Sequence, residues 1–66
     1  MPKISLKAAR VNARLSQEAV AKHLSVSLST VKNWESGKTF PNQPMIERLC
    51  ELYKMPYDCI HFGSGQ

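Results

Sequence analysis

The chain has 66 residues, of which nine are lysine or arginine and five are aspartate or glutamate, so its formal charge is +4. A chain this short buries about 60% of the surface that its unfolded form exposes, which leaves little room for a catalytic cleft and the residues that support it. We therefore expect no enzyme activity, and we expect a polyanionic partner for the basic surface.

No segment has the long apolar run of a signal peptide or of a membrane span. Cys50 and Cys59 form no CxxC motif, so both are expected to be reduced, partly buried thiols. Together with His61 they lack the paired spacing of a metal site. These observations predict a cytoplasmic protein with no metal, no other cofactor, no small-molecule substrate and no sensor domain within the 66 residues.

The first predicted helix runs from about Leu6 to Arg14, with Ser5 as its N-cap. Its apolar residues fall on one face, which holds Leu6, Ala9 and Ala13. The second predicted helix covers residues 17–24 after the N-cap Ser16, and its inward face holds Val20, Ala21 and Leu24. The small Ala21 leaves room for a helix that crosses closely.

A three-residue turn, 25–27, separates the second helix from the third. Ser27 is the N-cap of the third helix, which runs from Leu28 to about Ser36, and Gly37 provides a left-handed exit residue. Two helices joined by so short a turn must cross steeply, so residues 16–37 are typical of a helix-turn-helix.

A fourth helix follows the loop, beginning at Asn42 or Gln43 with Pro44 and running to about Lys54. Its apolar face holds Met45, Ile46, Leu49, Leu52 and Tyr53. This pattern predicts a helix that packs broadly on the others.

Pro56 breaks the chain, and residues 57–61 are expected to add one last helical turn that closes the core with Ile60. No segment alternates apolar and polar residues as a strand does. We therefore predict an all-α, compact fold of five helices, with a single domain over residues 1–66 and a flexible tail over 63–66.

The third helix has two faces when it is projected about its axis. Val31 and Trp34 lie on the side that packs on the second helix, so Trp34 is expected to be a core residue rather than a stacking platform for single strands. The opposite arc of about 140° holds Leu28, Ser29, Lys32 and Asn33. Asn bonds adenine, Ser donates or accepts, Lys reaches guanine or phosphate, and Leu contacts a thymine methyl group, so this face suits the major groove.

Residues beside this face are placed to hold the DNA backbone. Backbone amides at the start of the second helix, together with Gln17, suit a phosphate. Thr30 lies at the border of the arc and Lys38 follows the helix exit, both within reach of the sugar-phosphate strand. An ordinary solvated surface is the alternative, and the apolar Leu28 fits a protein partner as well as a methyl group.

Residues 15–39 resemble the helix-turn-helix of Cro and the phage repressors, the Xre family. The resemblance rests on Leu15, Ser16, Gln17, Glu18, Ala21, Leu24, Val26, Ser27, Ser29, Thr30, Val31, Trp34, Glu35, Gly37 and Lys38. It extends loosely over nearly the whole chain and implies the five-helix fold of the lambda repressor. Two departures are Ser25, where the family usually has Gly, and Leu28, where many members have a polar residue such as Gln.

The resemblance also implies roles for single residues. Gln17 matches a position that contacts the DNA backbone and, in some members, an adjoining base. The positions that read bases in the major groove in the family correspond to Leu28, Ser29 and Asn33. The positions near phosphates or variable base contacts are Ser27, Thr30, Lys32 and Lys38. Arg10 and Glu35 match a pair that forms a partly buried ion pair in some members.

The first functional hypothesis is a sequence-specific, double-stranded DNA-binding transcription regulator, a repressor that competes with polymerase. A single recognition helix contacts few base pairs, so a homodimer on half-sites about 34 Å apart is expected. Residues 57–62 are the candidate surface for self-association, with closure of the core as the alternative. The second hypothesis is a protein-interaction module, such as an antitoxin or an adaptor, that uses the same fold.

Overall fold

The computed structural model describes residues 3–62. Its elements in chain order are β1 (Ile4–Ser5), α1 (Leu6–Asn12), α2 (Gln17–Leu24), α3 (Leu28–Ser36), α4 (Gln43–Tyr53), a 3-10 turn (Tyr57–Cys59) and β2 (Ile60–His61). The predicted bounds of α2 and α3, and the turn between them, are confirmed. The predicted tail, 63–66, lies outside the described residues.

Each α-helix begins after a small polar residue, as the sequence predicts. A side-chain oxygen of each cap accepts a hydrogen bond from the backbone N–H three residues later, at 3.0–3.1 Å. The four caps are Ser5, Ser16, Ser27 and Asn42. Asn42, and not Gln43, is therefore the cap of α4. Each such cap stabilises its helix by about 1 kcal/mol.

All four α-helices end in the same way, with a residue in the left-handed conformation. These residues are Arg14, Ser25, Gly37 and Lys54, with φ between 56° and 86°. The N–H of the next residue then bonds a carbonyl five residues earlier, at 3.0–3.2 Å. In three of the four cases that next residue is apolar and packs against the core: Leu15, Val26 and Met55.

The first helix is shorter than the sequence predicts because of this ending. The helix stops at Asn12, because Ala13 caps it and Arg14 turns the chain at φ 61°. Arg14 carries no sequence signal for such a turn, since glycine is the usual residue there.

Ser25→Gly is expected to raise the free energy of unfolding by about 0.5–1 kcal/mol. Ser25 lies at φ 58° and ψ 41°, where the Cβ of any residue other than glycine is crowded. Urea unfolding followed by circular dichroism measures the change. Ser29→Gly, at a right-handed helical position, should instead lower the same free energy. If both substitutions lowered the free energy of unfolding equally, the assignment of backbone strain to Ser25 would be contradicted.

The fifth helix is the part of the prediction that is wrong, whereas the small all-α fold is confirmed, with four α-helices among the described residues. Residues 57–59 form a single 3-10 turn, and the chain then extends at Ile60. β1 and β2 pair in parallel, with Ile4 beside Ile60 and Ser5 beside His61. Pro56 starts this segment in an extended conformation, and the free backbone groups of β2 find partners at the other end of the chain.

The core lies between the four helices and the strand pair. Its buried residues are Leu6, Ala9, Val20, Ala21, Leu24, Val31, Trp34, Leu49, Tyr53 and Ile60, all on faces that the sequence predicts to be inward. Ala13, Met45 and Leu52 are half-buried at its margin. Ile60 closes the core as expected, with 1% of its surface exposed. This core fixes α3 against α2 and leaves the other face of α3 free.

Candidate nucleic-acid interface

Packing divides α3 into a buried and an outer face. Val31 is 1% exposed and Trp34 7% exposed, so these two side chains hold α3 in the core. On the outer face Ser29 and Lys32 are exposed, whereas Leu28, Thr30 and Asn33 are half-buried. The structure therefore brings the predicted base-reading residues together on one side of one helix, and it places Trp34 where no nucleic acid can stack on it.

Hydroxyl groups organise the start of this face. The Ser27 Oγ accepts the Thr30 N–H at 3.1 Å and lies 2.8 Å from the Thr30 Oγ1. Because each hydroxyl group already has a partner, this pair presents a fixed polar edge at the N-terminus of α3. Such an edge suits a contact with the sugar-phosphate backbone.

The far end of the face is fixed by two hydrogen bonds to one backbone carbonyl group. The Asn33 carbonyl accepts the Lys38 N–H at 3.0 Å and the Ser36 hydroxyl at 3.2 Å. Gly37 makes the turn at φ 86° and leaves Lys38 exposed. The Lys38 ammonium group is thus carried on a short, well-defined segment beside the outer face of α3.

An ion pair joins α1 to α3, as the resemblance implies. The Arg10 Nε donates to the Glu35 Oε2 at 2.6 Å, and the Arg10 Nη2 to the Glu35 Oε1 at 3.4 Å. Only 12% of the Arg10 side chain and 6% of the Glu35 side chain are exposed. The Arg10 Nη1 also donates to the Leu15 carbonyl at 2.9 Å, which holds the loop before α2.

Gln17 belongs to the same network. Its Nε2 donates to the Glu35 Oε1 at 2.9 Å, which links the first residue of α2 to α3. The sequence predicts Gln17 at the DNA backbone but does not indicate this partner. Eighteen positions separate the two residues, and no local pattern signals a contact over that distance.

Tyr53 of α4 is buried and feels the charges of Glu35 and Arg10. Burial raises the pKa of Tyr53 to about 12, the nearby Glu35 carboxylate adds to the rise, and Arg10 opposes it. The phenol therefore stays neutral at physiological pH and adds no charge beside the ion pair.

The ion pair also determines the charge of the outer face. Glu35 is the acidic residue of α3, and Arg10 neutralises it away from solvent. Lys32 and Lys38 are exposed beside the hydrogen-bonding residues. The face is consequently polar and positively charged, as a surface for an anionic duplex must be.

Ser36 is a candidate that the sequence analysis missed. It follows Ser29 by two helical turns, so the same projection places it within the outer arc. The side chain is exposed. The spacing of Ser29 and Ser36 in the sequence is the signal that identifies it.

The cysteines are free thiols, both half-buried. Burial, with a smaller contribution from Glu47, raises the pKa of Cys50 and keeps it protonated. Among residues 3–62, no three His, Cys, Asp or Glu side chains are grouped closely enough to hold a metal ion. Within the same range, none of the helices has the length and apolarity that a membrane crossing requires.

Comparison with known proteins agrees with this geometry. The chain is 32% identical over 55 residues to the HTH-type transcriptional activator BcrR of Enterococcus faecalis. The aligned part is 83% of this chain and 27% of the relative. The chain therefore spans little more than a quarter of the length of that protein. No solved structure matches at a significant level. Residues 4–58 match the family model of a helix-turn-helix domain. On this match over most of its length, the chain belongs to the helix-turn-helix domain family.

Proposed function

We propose that this chain is a sequence-specific, double-stranded DNA-binding unit of a transcription regulator, and that it binds rather than catalyses. The observation that carries the proposal is the outer face of α3, which is polar, positively charged and free of the core. Family membership and the regulator named above support it. Such a unit works in the compartment that holds the DNA, which we take to be the cytoplasm.

Selection of bound sites from random duplexes tests this function directly. We expect a short enriched motif whose affinity exceeds that of scrambled duplexes by about 10³-fold or more at physiological salt. Enrichment of no motif, with equal affinity for all duplexes, would contradict sequence-specific binding.

Asn33→Ala and Ser29→Ala are expected to reduce discrimination between the selected and the scrambled duplex. Each should cost about 1–3 kcal/mol on the selected site where it removes a base contact, and little on the scrambled one. Fluorescence anisotropy with both duplexes measures the ratio of the two dissociation constants. An unchanged ratio in both folded variants would place base reading elsewhere.

Lys38→Ala is expected to weaken binding to every duplex and to reduce the slope of log K against log salt by about 0.9. The exposed ammonium group is placed to neutralise one phosphate. The same anisotropy titration between low and high salt measures the slope. Lys22→Ala, in the last turn of α2, removes the same charge away from the outer face and is the matched control. Equal slopes for both variants would contradict a contact at Lys38.

Within this function we propose a repressor of the Cro or Xre type. The support is the resemblance over residues 15–39 together with the Arg10–Glu35 pair. The relative is named a transcriptional activator, so activation is the alternative to repression. A reporter with the selected site inside its promoter should lose expression when the chain is produced. Increased expression would favour activation and leave the DNA-binding proposal intact.

We further propose that two copies bind adjacent half-sites. Residues 3–62 measure 30 × 24 × 19 Å, so copies centred about 34 Å apart come near enough for a contact only when the 30 Å dimension of each lies along the duplex. The candidate contact is the aromatic cluster of Phe40, Tyr57 and Phe62. Tyr57 is 53% exposed, Phe40 43% exposed, and the rings of Tyr57 and Phe62 stack at 5.5 Å beside a cleft of 310 Å³.

Tyr57→Ser tests this contact. Binding to a palindromic site should lose its cooperativity, whereas affinity for an isolated half-site should stay unchanged. Unchanged cooperativity would exclude Tyr57 from the contact, and antitoxin or adaptor activity would then be the alternative use of the aromatic cluster.

A further inference from the structure

We propose that Glu35 is a positioning residue for DNA binding, because it orients the side-chain amide of Gln17 toward a phosphate at the start of α2. This inference rests on the proposed function and assigns a second role to the ion pair that joins α1 to α3. Glu35 itself does not touch the DNA, since only 6% of its side chain is exposed.

The Glu35 carboxylate is held in one orientation. Two nitrogens of Arg10 donate to its two oxygens, at 2.6 Å and 3.4 Å. A carboxylate held by both of its oxygens cannot turn freely. Its Oε1 is therefore a fixed acceptor for the Gln17 Nε2, which lies 2.9 Å away.

The chemistry of the amide determines what this contact does. A glutamine amide has two N–H donors, and a phosphate offers only acceptors. When one N–H of Gln17 donates to Glu35, the second keeps a defined direction and stays available to an outside acceptor. Gln17 is half-buried and is the first residue of α2, next to the backbone N–H groups that open the helix.

Arg10 supports the same end of α2 in a second way. Its Nη1 bonds the Leu15 carbonyl at 2.9 Å, immediately before the N-cap Ser16. The ion pair thus holds the backbone that enters α2 as well as the first side chain of the helix. A contact with phosphate at this position is consequently prepared before DNA arrives, which lowers the entropy lost on binding.

Two double variants isolate the acceptor oxygen. Arg10→Met with Glu35→Leu removes both charges and the acceptor for Gln17. Arg10→Met with Glu35→Gln removes both charges but keeps an amide oxygen that accepts from Gln17. Each double variant is made with and without Gln17→Met. Circular dichroism first establishes that each variant is folded. Fluorescence anisotropy then measures its affinity for the selected and the scrambled duplex.

The Leu double variant and Gln17→Met are each expected to lose about tenfold in affinity on both duplexes, and their combination no more than either alone. The Gln double variant should bind far better than the Leu one. The salt slope should stay unchanged, because an amide releases no counterion from phosphate.

Three outcomes would overturn the inference. Equal affinities of the Leu and Gln double variants would remove any role for the acceptor oxygen. A loss confined to the selected duplex would mean that Glu35 acts by placing α3. Normal binding by Gln17→Met, with discrimination still reduced in Asn33→Ala, would refute the amide contact and leave the proposed function standing. If the unaltered chain binds no duplex, the proposed function fails first.

Discussion

Arg10→Met is expected to lower the free energy of unfolding by about 3 kcal/mol. The substitution leaves the Glu35 carboxylate in the protein interior, where only Gln17 still donates to it. A buried charge without its counter-charge loses hydration and receives no full compensation. Arg10→Met also removes the hydrogen bond that the Arg10 Nη1 donates to the Leu15 carbonyl at 2.9 Å. Urea unfolding followed by the fluorescence of Trp34, the single tryptophan of the chain, measures the loss.

The double variant Arg10→Met with Glu35→Leu is the control for this prediction. It removes both charges, so most of the lost stability should return. The non-additivity of the single and double variants measures the coupling of the pair. A loss below about 0.5 kcal/mol in Arg10→Met would mean that the pair behaves like an exposed surface ion pair.

Trp34→Ala is expected to lower the free energy of unfolding by about 4 kcal/mol. The indole is 7% exposed and holds α3 against the rest of the core, so its removal leaves a large cavity. A domain of this length has about 3–10 kcal/mol of stability in total, so the loss amounts to about 40% of that stability or more. Circular dichroism should detect loss of helix on a urea or temperature gradient.

Two companion variants make this result interpretable. Trp34→Phe keeps an aromatic side chain in the core and should retain both the fold and DNA binding with a smaller loss of stability. Lys32→Ala lies on the exposed face of the same helix and should change stability by less than about 0.5 kcal/mol. A stable, folded Trp34→Ala protein that fails to bind DNA would place Trp34 in the interface instead of the core.

The helix-turn-helix could be predicted from the sequence because its determinants are local. Ser16 and Ser27 begin their helices with hydrogen bonds that span three residues, and Gly37 ends α3 in the conformation that glycine favours. The inward face of α3 follows from the spacing of Val31 and Trp34 alone. Each signal lies within the element that it specifies.

The features that sequence reasoning missed depend on contacts over long distances or on residues without a distinctive signal. The Gln17–Glu35 bond joins two helices, and β1 pairs with β2 through only two residues each. Strands this short carry no alternation of polarity. Arg14 and Lys54 adopt left-handed conformations that nothing in their chemistry favours. Tertiary packing determines these parts of the fold.

The parallel pair of β1 and β2 has a consequence for how the molecule opens. It joins residues from the two ends of the described chain, so forming it requires closure of nearly the longest loop available, whereas the helices form through nearby contacts. We expect its amide protons to exchange with solvent sooner than those in the middle of α2 and α3. Transient opening there separates Ile4 from Ile60 and exposes the Ile60 side chain while the two crossed helices remain assembled.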